Sequence, residues 1–281
     1  MARLSELQPV EMAGDRSRTL LEGPRVTATG DLLFSDVLAG GVYRQTPSGE
    51  LRTIVPGRRG VGGLVEHERG GVVVGGRDLV HVEDKGASKL LLARDGVTGF
   101  NDLTTTPDGR VIVGALRFRP FAGEESVPGE LLLVSGPDRA VLLSDTLLWP
   151  NGIGLSPTGD LLYASDFARK HVKVMSLDGS DESVFSESPR GAADGLAVDV
   201  EGGVWVALGE GGGVARFESD GLLDEIVEVP ANFVSSIAFG GSDARDVLVS
   251  TADSTLSPGT GGALFRARSE VAGMAISPAA I

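Results

Sequence analysis

Four oxygen-bearing side chains recur at one spacing in this chain, each eight residues before a glycine that marks a predicted tight turn. They are Glu22, Asn101, Asn151 and Asp194, which precede the glycines at 30, 109, 159 and 202. The Asn-Asp, Asn-Gly and Asp-Gly pairs among them are, taken singly, ordinary turn residues. Four at one repeated position instead indicate a shared site, at which two carboxylates and two amide oxygens would meet.

Such a set of side chains suits a divalent cation. All four offer hard oxygen atoms, and the two carboxylates bring two negative charges. Ca²⁺ prefers about six to eight oxygen ligands, so four protein ligands would leave positions for water or substrate. An open position is what catalysis by a Lewis acid requires. The pattern therefore predicts a divalent metal ion as cofactor, Ca²⁺ first, with Zn²⁺, Mn²⁺ and Mg²⁺ as alternatives.

These side chains would converge only if the chain folds around an axis, and the glycine pattern predicts such a fold. Glycines at 30, 70, 109, 159, 202 and about 241 each separate two short apolar runs, at spacings of 40, 39, 50, 43 and about 39 residues. A period of this length with several strands per repeat is typical of propeller blades. We expect an all-β, six-bladed β-propeller with four-stranded blades and a central metal site. A pair of β-sandwiches is the alternative, but sandwiches lack so regular a spacing.

Composition limits the possible partners. The 281 residues are 41% hydrophobic and include 41 glycines, about twice the usual share of glycine, which predicts a folded, turn-rich chain. The formal net charge of −14 argues against nucleic-acid phosphates and anionic membrane surfaces as partners. Cysteine is absent, so disulfides, thiolate catalysis and cysteine-bound zinc are excluded.

Length alone allows one domain or two. The continuous repeat favours one propeller domain over residues 1–281, with residues 1–18 contributing to ring closure. The N-terminus lacks the apolar core of a secretory signal, and no stretch approaches the ~18 apolar residues that span a bilayer. We expect a cytoplasmic protein that acts on a small-molecule substrate, with neither nucleic acid nor membrane as partner.

Five short motifs in this order resemble the senescence marker protein/gluconolactonase/luciferin-regenerating enzyme family. They are Glu22-Gly23-Pro24, Phe100-Asn101-Asp102, Pro107-Asp108-Gly109-Arg110, Pro150-Asn151-Gly152 and Asp194-Gly195. Each is weak alone, but the ordered set extends from about Leu20 to Arg268. The resemblance implies a six-bladed propeller with a central divalent metal, often Ca²⁺ or Zn²⁺, that hydrolyses sugar lactones or related esters. It also implies that Glu22, Asn101, Asn151 and Asp194 are the metal ligands and that Asp102 is a second channel residue.

Two departures from the family pattern affect the predicted substrate. Members that act on sugar lactones commonly have an arginine two residues before the asparagine of the Phe-Asn-Asp motif, where this chain has Gly99. A tryptophan that usually follows the Glu-x-Pro motif is absent, and Val26 lies near its position. We therefore expect an intact metal site but a substrate less polar than a sugar lactone.

Further side chains are candidates for the mouth of the pocket. The 50-residue spacing marks an insertion in the third blade, from Leu116 to Glu125, and long loops on a propeller often carry function. Arg117 or Arg119 would then replace the missing arginine as an anchor for an anion or carbonyl. A solvated loop with local Arg–Glu pairs is the alternative. Trp149 is a candidate hydrophobic wall, or packing between blades, and Phe100 a candidate substrate contact.

These residues support three hypotheses. The first is a metal-dependent hydrolase in which Asp194 or Asp102 accepts a proton from the water that attacks a lactone. The second is a metal-dependent, non-hydrolytic cyclase, isomerase or lyase acting on a carbonyl compound, suggested by the missing arginine. The third is a non-catalytic propeller that binds a protein or peptide, although such a propeller has no need of four oxygen donors at one inner position.

Overall fold

Nearly all regular secondary structure is β-strand in the computed structural model of the chain, which describes residues 3–12, 18–255 and 261–281. The six predicted turn glycines all have a positive φ, between 74° and 86°, a conformation that costs glycine little. At Gly30 and Gly109 the amide donates to the carbonyl oxygen three residues earlier, at 2.9 Å in each case. These turns reverse the chain between the first two strands of each repeat.

Six four-stranded antiparallel sheets result, here called blades 1 to 6. Blade 1 contains β2 (Leu21–Val26), β3 (Leu32–Asp36), β4 (Val42–Gln45) and β5 (Leu51–Val55). Blade 2 contains β6 (Leu64–Glu66), β7 (Val72–Val74), β8 (Leu79–Val82) and β9 (Ser88–Leu92). Blade 3 contains β10 (Gly99–Thr105), β11 (Val111–Leu116), β12 (Glu130–Gly136) and β13 (Arg139–Ser144).

The second half of the chain repeats the pattern. Blade 4 contains β14 (Pro150–Leu155), β15 (Leu161–Asp166), β16 (His171–Ser176) and β17 (Ser183–Glu187). Blade 5 contains β18 (Leu196–Val198), β19 (Val204–Ala207), β20 (Gly213–Phe217) and β21 (Leu223–Glu228). Blade 6 contains β22 (Val234–Gly240), β23 (Asp246–Thr251), β24 (Leu264–Arg268) and the N-terminal β1 (Gln8–Pro9).

The first strands of the blades form a closed ring. β2 contacts β6, and the contacts continue through β10, β14, β18 and β22 back to β2. Blades 6 and 1 are also joined by one parallel pair, Val26 with Gly240, which merges them into an eight-stranded sheet. The prediction of an all-β chain of four-stranded antiparallel sheets is confirmed, and the first strand of every blade lies nearest the axis of a β-propeller.

The N-terminal segment completes the last blade. β1 pairs antiparallel with β24, Gln8 opposite Arg266 and Pro9 opposite Phe265. Of residues 1–18, which were predicted to contribute to ring closure, positions 1, 2 and 13–17 lie outside the described residues.

Apolar side chains fill the space between neighbouring blades and fix the inner strands. The cluster between blades 2 and 3 includes Val73, Leu91, Leu103, Val113 and Leu132, all buried. Within the described ranges, the single helix is a three-residue 3-10 turn, Pro120–Ala122, in the predicted blade 3 insertion. No helix there has the length and apolar character needed to cross a bilayer.

Candidate functional site

The four predicted metal ligands line one cavity at the axis. Glu22, Asn101, Asn151 and Asp194 come from the inner strands of blades 1, 3 and 4 and from the segment just before β18 of blade 5, and the cavity has a volume of about 640 Å³. Glu22, Asn151 and Asp194 are buried, and Asn101 is half-buried. The repeated sequence position therefore corresponds to one place in the ring.

Irregularities in the inner strands accompany three of these polar side chains, those of Glu22, Asn101 and Asn151. The register of β2 shifts between Glu22 and Arg25, that of β10 between Phe100 and Leu103, and that of β14 between Pro150 and Ile153. A bulge bends a strand and redirects the side chains beside it, and bulges are common next to active sites. Each shift falls at or beside a predicted ligand.

Hydrogen bonds orient the two amides. Nδ2 of Asn101 donates to the carbonyl oxygen of Pro150 at 3.0 Å, which leaves Oδ1 as the atom available to a ligand. The amide of Asn151 donates to the carboxylate of Asp194. Oδ1 of Asp194 is buried and has no hydrogen-bond partner among the described residues. A buried carboxylate oxygen without a donor is costly, and a cation would satisfy it.

The carboxylates at the site oppose one another. Burial raises the pKa of Glu22 well above its ordinary value, and the charges of Asp194 and Asp102 raise it further. Burial likewise raises the pKa of Asp194, the charge of Asp102 adds to this, and the hydrogen bond from Asn151 acts against it. Bringing a positive ion among these groups would reverse the repulsion.

The residues present fit a hard divalent cation. Two carboxylates and two amides supply oxygen ligands only, which is the ligand chemistry of Ca²⁺ and related ions. No group of three or more His, Cys, Asp or Glu side chains in the described part of the chain is arranged to hold a metal. A site here would therefore depend on the two asparagines as much as on Glu22 and Asp194.

Asp102, the other predicted proton acceptor, lies beside the site but not on the described lining of the cavity. Its Oδ1 accepts from the backbone N–H of Leu103 at 2.8 Å. Burial raises the pKa of Asp102 to about 6, although Arg25 and the N–H groups of Leu103 and Ile153 act in the opposite direction. The positive charge of Arg25 thus acts on Asp102, while the charge of Asp102 in turn affects Glu22 and Asp194.

The predicted substrate contacts separate into two groups. Phe100, Trp149 and Arg119 line the cavity, whereas Arg117 is exposed and lies outside the described lining. Arg119 also forms the local Arg–Glu pair that the alternative interpretation anticipated, with its Nε 2.9 Å from Oε1 of Glu124.

An aromatic wall accompanies Trp149. The ring centroid of Trp149 lies 5.4 Å from that of Phe118 and 4.5 Å from that of Phe167, and Phe167 lies 6.4 Å from Phe233. All four rings line the cavity. The centroid distances from Trp149 to Phe118 and Phe167 fall in the range of favourable aromatic pairs.

The sequence analysis missed three of these rings and two further arginines, Arg59 and Arg77, that also line the cavity. One signal for Phe167 was present. Ser-Asp followed by an apolar residue ends the second strand of blade 1 and of blade 4, and the apolar residues, Val37 and Phe167, both line the cavity. Phe233 and the two arginines lie in loops with no shared pattern.

Known proteins resemble the chain over most of its length. Residues 20–253 match the family model described as SMP-30/Gluconolactonase/LRE-like region. A 6-deoxy-6-sulfogluconolactonase of Pseudomonas putida is 28% identical over 234 residues, 78% of each chain. A pentonolactonase of Haloferax volcanii is 31% identical over 189 residues, 61% of this chain and 63% of the other. The calcium-binding protein regucalcin of Agrobacterium tumefaciens has the same fold, with a TM-score of 0.83 at 23% identity over 95% of each chain.

Proposed function

The chain belongs to the SMP-30/gluconolactonase/LRE-like family. On that basis we propose that it is a hydrolase that opens a lactone ring at a divalent cation. The cation would lie at the part of the cavity lined by Glu22, Asn101, Asn151 and Asp194, here called the floor. One observation carries the proposal. Three blades and the segment before a fourth bring Glu22, Asn101, Asn151 and Asp194 to one cavity, where Oδ1 of Asp194 has no hydrogen-bond partner among the described residues.

The cofactor in this proposal is Ca²⁺ first, with Zn²⁺, Mn²⁺ or Mg²⁺ as alternatives. The all-oxygen ligand set supports Ca²⁺, and a relative of the same fold is described as calcium-binding. When bound, a divalent cation supplies a Lewis acid that polarises a carbonyl group. Glu22, Asn101, Asn151 and Asp194 would hold it.

The chain's own residues place the lactone and move a proton. Water adds to the carbonyl carbon, the ring C–O bond breaks, and the ring oxygen ends protonated, which gives a hydroxy acid. Asp194 accepts the proton of the attacking water, because its carboxylate is buried at the floor and the amide of Asn151 orients it. Asp102, whose pKa burial raises to about 6, is the alternative acceptor.

The walls of the cavity favour a substrate less polar than a sugar lactone. Phe100, Phe118, Trp149, Phe167 and Phe233 line it, and Gly99 lies on the lining where the family commonly has an arginine. Burial of apolar groups against aromatic rings is favourable, whereas the hydroxyl groups of a sugar need hydrogen-bond partners when they are buried.

Mass analysis of the product tests the proposal. A panel from gluconolactone to γ- and δ-lactones with alkyl or aryl substituents is incubated with the protein and Ca²⁺. We expect the products to gain the mass of one water, and aryl-substituted rings to react faster than gluconolactone. Products of unchanged mass would contradict hydrolysis and favour an isomerase or cyclase.

The substitution Trp149→Ala is expected to lower kcat/KM for an aryl-substituted γ-lactone about fivefold, because one well-packed aromatic contact is worth about 1 kcal/mol. Turnover of unsubstituted γ-butyrolactone should change little, since it has no aryl group to contact the ring of Trp149. Steady-state rates on both substrates measure the difference. An equal loss on both would show that Trp149 supports the fold rather than the substrate.

A further inference from the structure

The mouth of the cavity carries positive charges that the reaction at its floor does not use. Arg59, Arg77 and Arg119 line the cavity and are exposed, whereas Glu22 and Asp194 on the same lining are buried. The negative groups therefore lie at the floor and the positive groups at the rim. This is notable in a chain whose formal net charge is −14.

The rim arginines are incompletely neutralised. Asp78 is held by Arg58, whose Nη2 lies 2.5 Å from Oδ1 and whose side chain is largely buried. Arg77 contacts the same carboxylate at 3.2 Å but remains 86% exposed. Arg59 has no ion pair or hydrogen bond among the described residues. The single carboxylate of Asp78 thus pairs with two guanidinium groups, and Arg59 has no carboxylate partner among the described residues.

Arg119 is the third rim arginine, and its ion pair with Glu124 is exposed on both sides, at 70% and 38%. Exposed pairs of this kind contribute little to stability, so the guanidinium can exchange Glu124 for another anion at small cost. Arg119 directly follows Phe118, the first ring of the aromatic wall. The basic rim and the aromatic wall are therefore adjacent at Phe118 and Arg119.

We propose that the substrate is an apolar lactone with an anionic substituent, such as a carboxylate, that Arg59, Arg77 and Arg119 bind at the mouth. This inference rests on the proposed lactonase function. A guanidinium group matches a carboxylate in geometry and binds it with charge-assisted hydrogen bonds. Because the three arginines lie at the exposed rim and the aromatic wall lies on the same lining, an anionic end held at the rim leaves the neutral, apolar part of the substrate to point inward.

Two probes that differ only in charge test this inference. One is γ-butyrolactone that carries a 4-carboxyphenyl group on the lactone ring. The other carries a 4-carbamoylphenyl group at the same position. We expect kcat/KM for the carboxylate to exceed that for the carboxamide about tenfold, as a few exposed ion contacts would give. Because such contacts are screened, raising the salt concentration from about 0.05 to about 0.5 M should reduce the ratio.

The double variant Arg59→Gln/Arg77→Gln should lower the ratio of the two probes several-fold towards one, because kcat/KM for the carboxylate falls more than kcat/KM for the carboxamide and Arg119 alone remains to bind the carboxylate. Arg52→Gln is the matched control, since Arg52 is exposed on the outer strand β5 of blade 1 and pairs with Glu50 away from this cavity. The control should keep the wild-type ratio. A ratio near one in the wild type, or the same ratio in the double variant, would overturn the inference.

A direct binding measurement separates this inference from the lactonase proposal. Calorimetric titration of both probes into the wild type and the double variant needs no turnover. If neither probe is hydrolysed but the carboxylate binds more tightly in a way that depends on Arg59 and Arg77, the lactonase proposal is wrong and the anion-binding site is supported. If both probes are hydrolysed with equal kcat/KM and bind equally, the anion-binding site is wrong and the lactonase proposal is supported. Equal or undetectable binding without turnover contradicts both.

Discussion

Glu22→Gln and Asp194→Asn should each reduce lactone opening about 10³-fold, equivalent to about 4 kcal/mol of transition-state stabilisation. Both substitutions preserve the shape of the side chain but remove a negative charge from the floor of the cavity. The cation loses one of its two carboxylate ligands, and Asp194→Asn also removes the proposed proton acceptor. Initial rates at saturating Ca²⁺, measured on an aryl-substituted γ-lactone, give the loss.

The same variants should keep or gain stability when metal is removed. Burial raises the pKa of both Glu22 and Asp194, and the charge of Asp194 raises the pKa of Glu22 further, so replacing either buried carboxylate by an amide removes the cost of burying its charge. Thermal unfolding in the presence of chelator should therefore show no decrease in Tm. Glu187→Gln is the matched control for the change of charge, because Glu187 is exposed on the outer strand β17 of blade 4. Full activity of both floor variants in metal-stripped buffer would contradict their role.

Gly62→Ala should lower activity about 10²-fold while leaving the fold intact. Gly62 occupies the blade 2 position that corresponds to the ligands in the other blades. A Cβ added there would overlap Oδ1 of Asn101, and it would lie 3.1 Å from Cγ and 3.2 Å from the backbone carbonyl carbon of the same residue, so Asn101 must shift. The amide can rotate away, but Oδ1 then leaves the floor, and a displacement of about 1 Å at a reacting centre can cost that much in rate.

Gly99→Ala is the comparison for Gly62→Ala. Gly99 lies on the cavity lining, but its added Cβ would meet only the carbonyl oxygen of Gly76, at an ordinary 3.6 Å. We expect a change of a few-fold at most. Ca²⁺ affinity is measured by calorimetry together with the rate of lactone opening. Displacement of Asn101 should lower both the affinity and the rate. Unchanged Ca²⁺ affinity and activity in Gly62→Ala would show that Asn101 is not a ligand.

The glycine period made the fold predictable, because tight turns with positive φ recur once per blade. The common spacing from those glycines also placed Glu22, Asn101, Asn151 and Asp194 on one cavity. A fixed spacing is informative here because each inner strand enters the ring at the same radius. The bulges that turn these side chains inward were not evident from the sequence.

The walls and mouth were less predictable because they depend on loops. Phe233 and Arg59 reach the cavity only after the ring has closed, and no repeated spacing marks them. Arg117 and Arg119 looked equivalent in sequence, yet only Arg119 is on the described lining. Asp102 was predicted together with Asp194 as a proton acceptor and stays a prediction, because Asp102 is absent from the described lining although its charge affects Glu22 and Asp194.

Metal-dependent lactone opening is the central claim, and proton release from an aryl-substituted γ-lactone tests it most directly. The protein is stripped with chelator, assayed, and assayed again after Ca²⁺, Zn²⁺, Mn²⁺ or Mg²⁺ is restored. We predict that stripping abolishes proton release and that one ion, Ca²⁺ first, restores it in the wild type but not in Asp194→Asn. Equal rates before and after stripping, or equal rescue of Asp194→Asn, would contradict the claim.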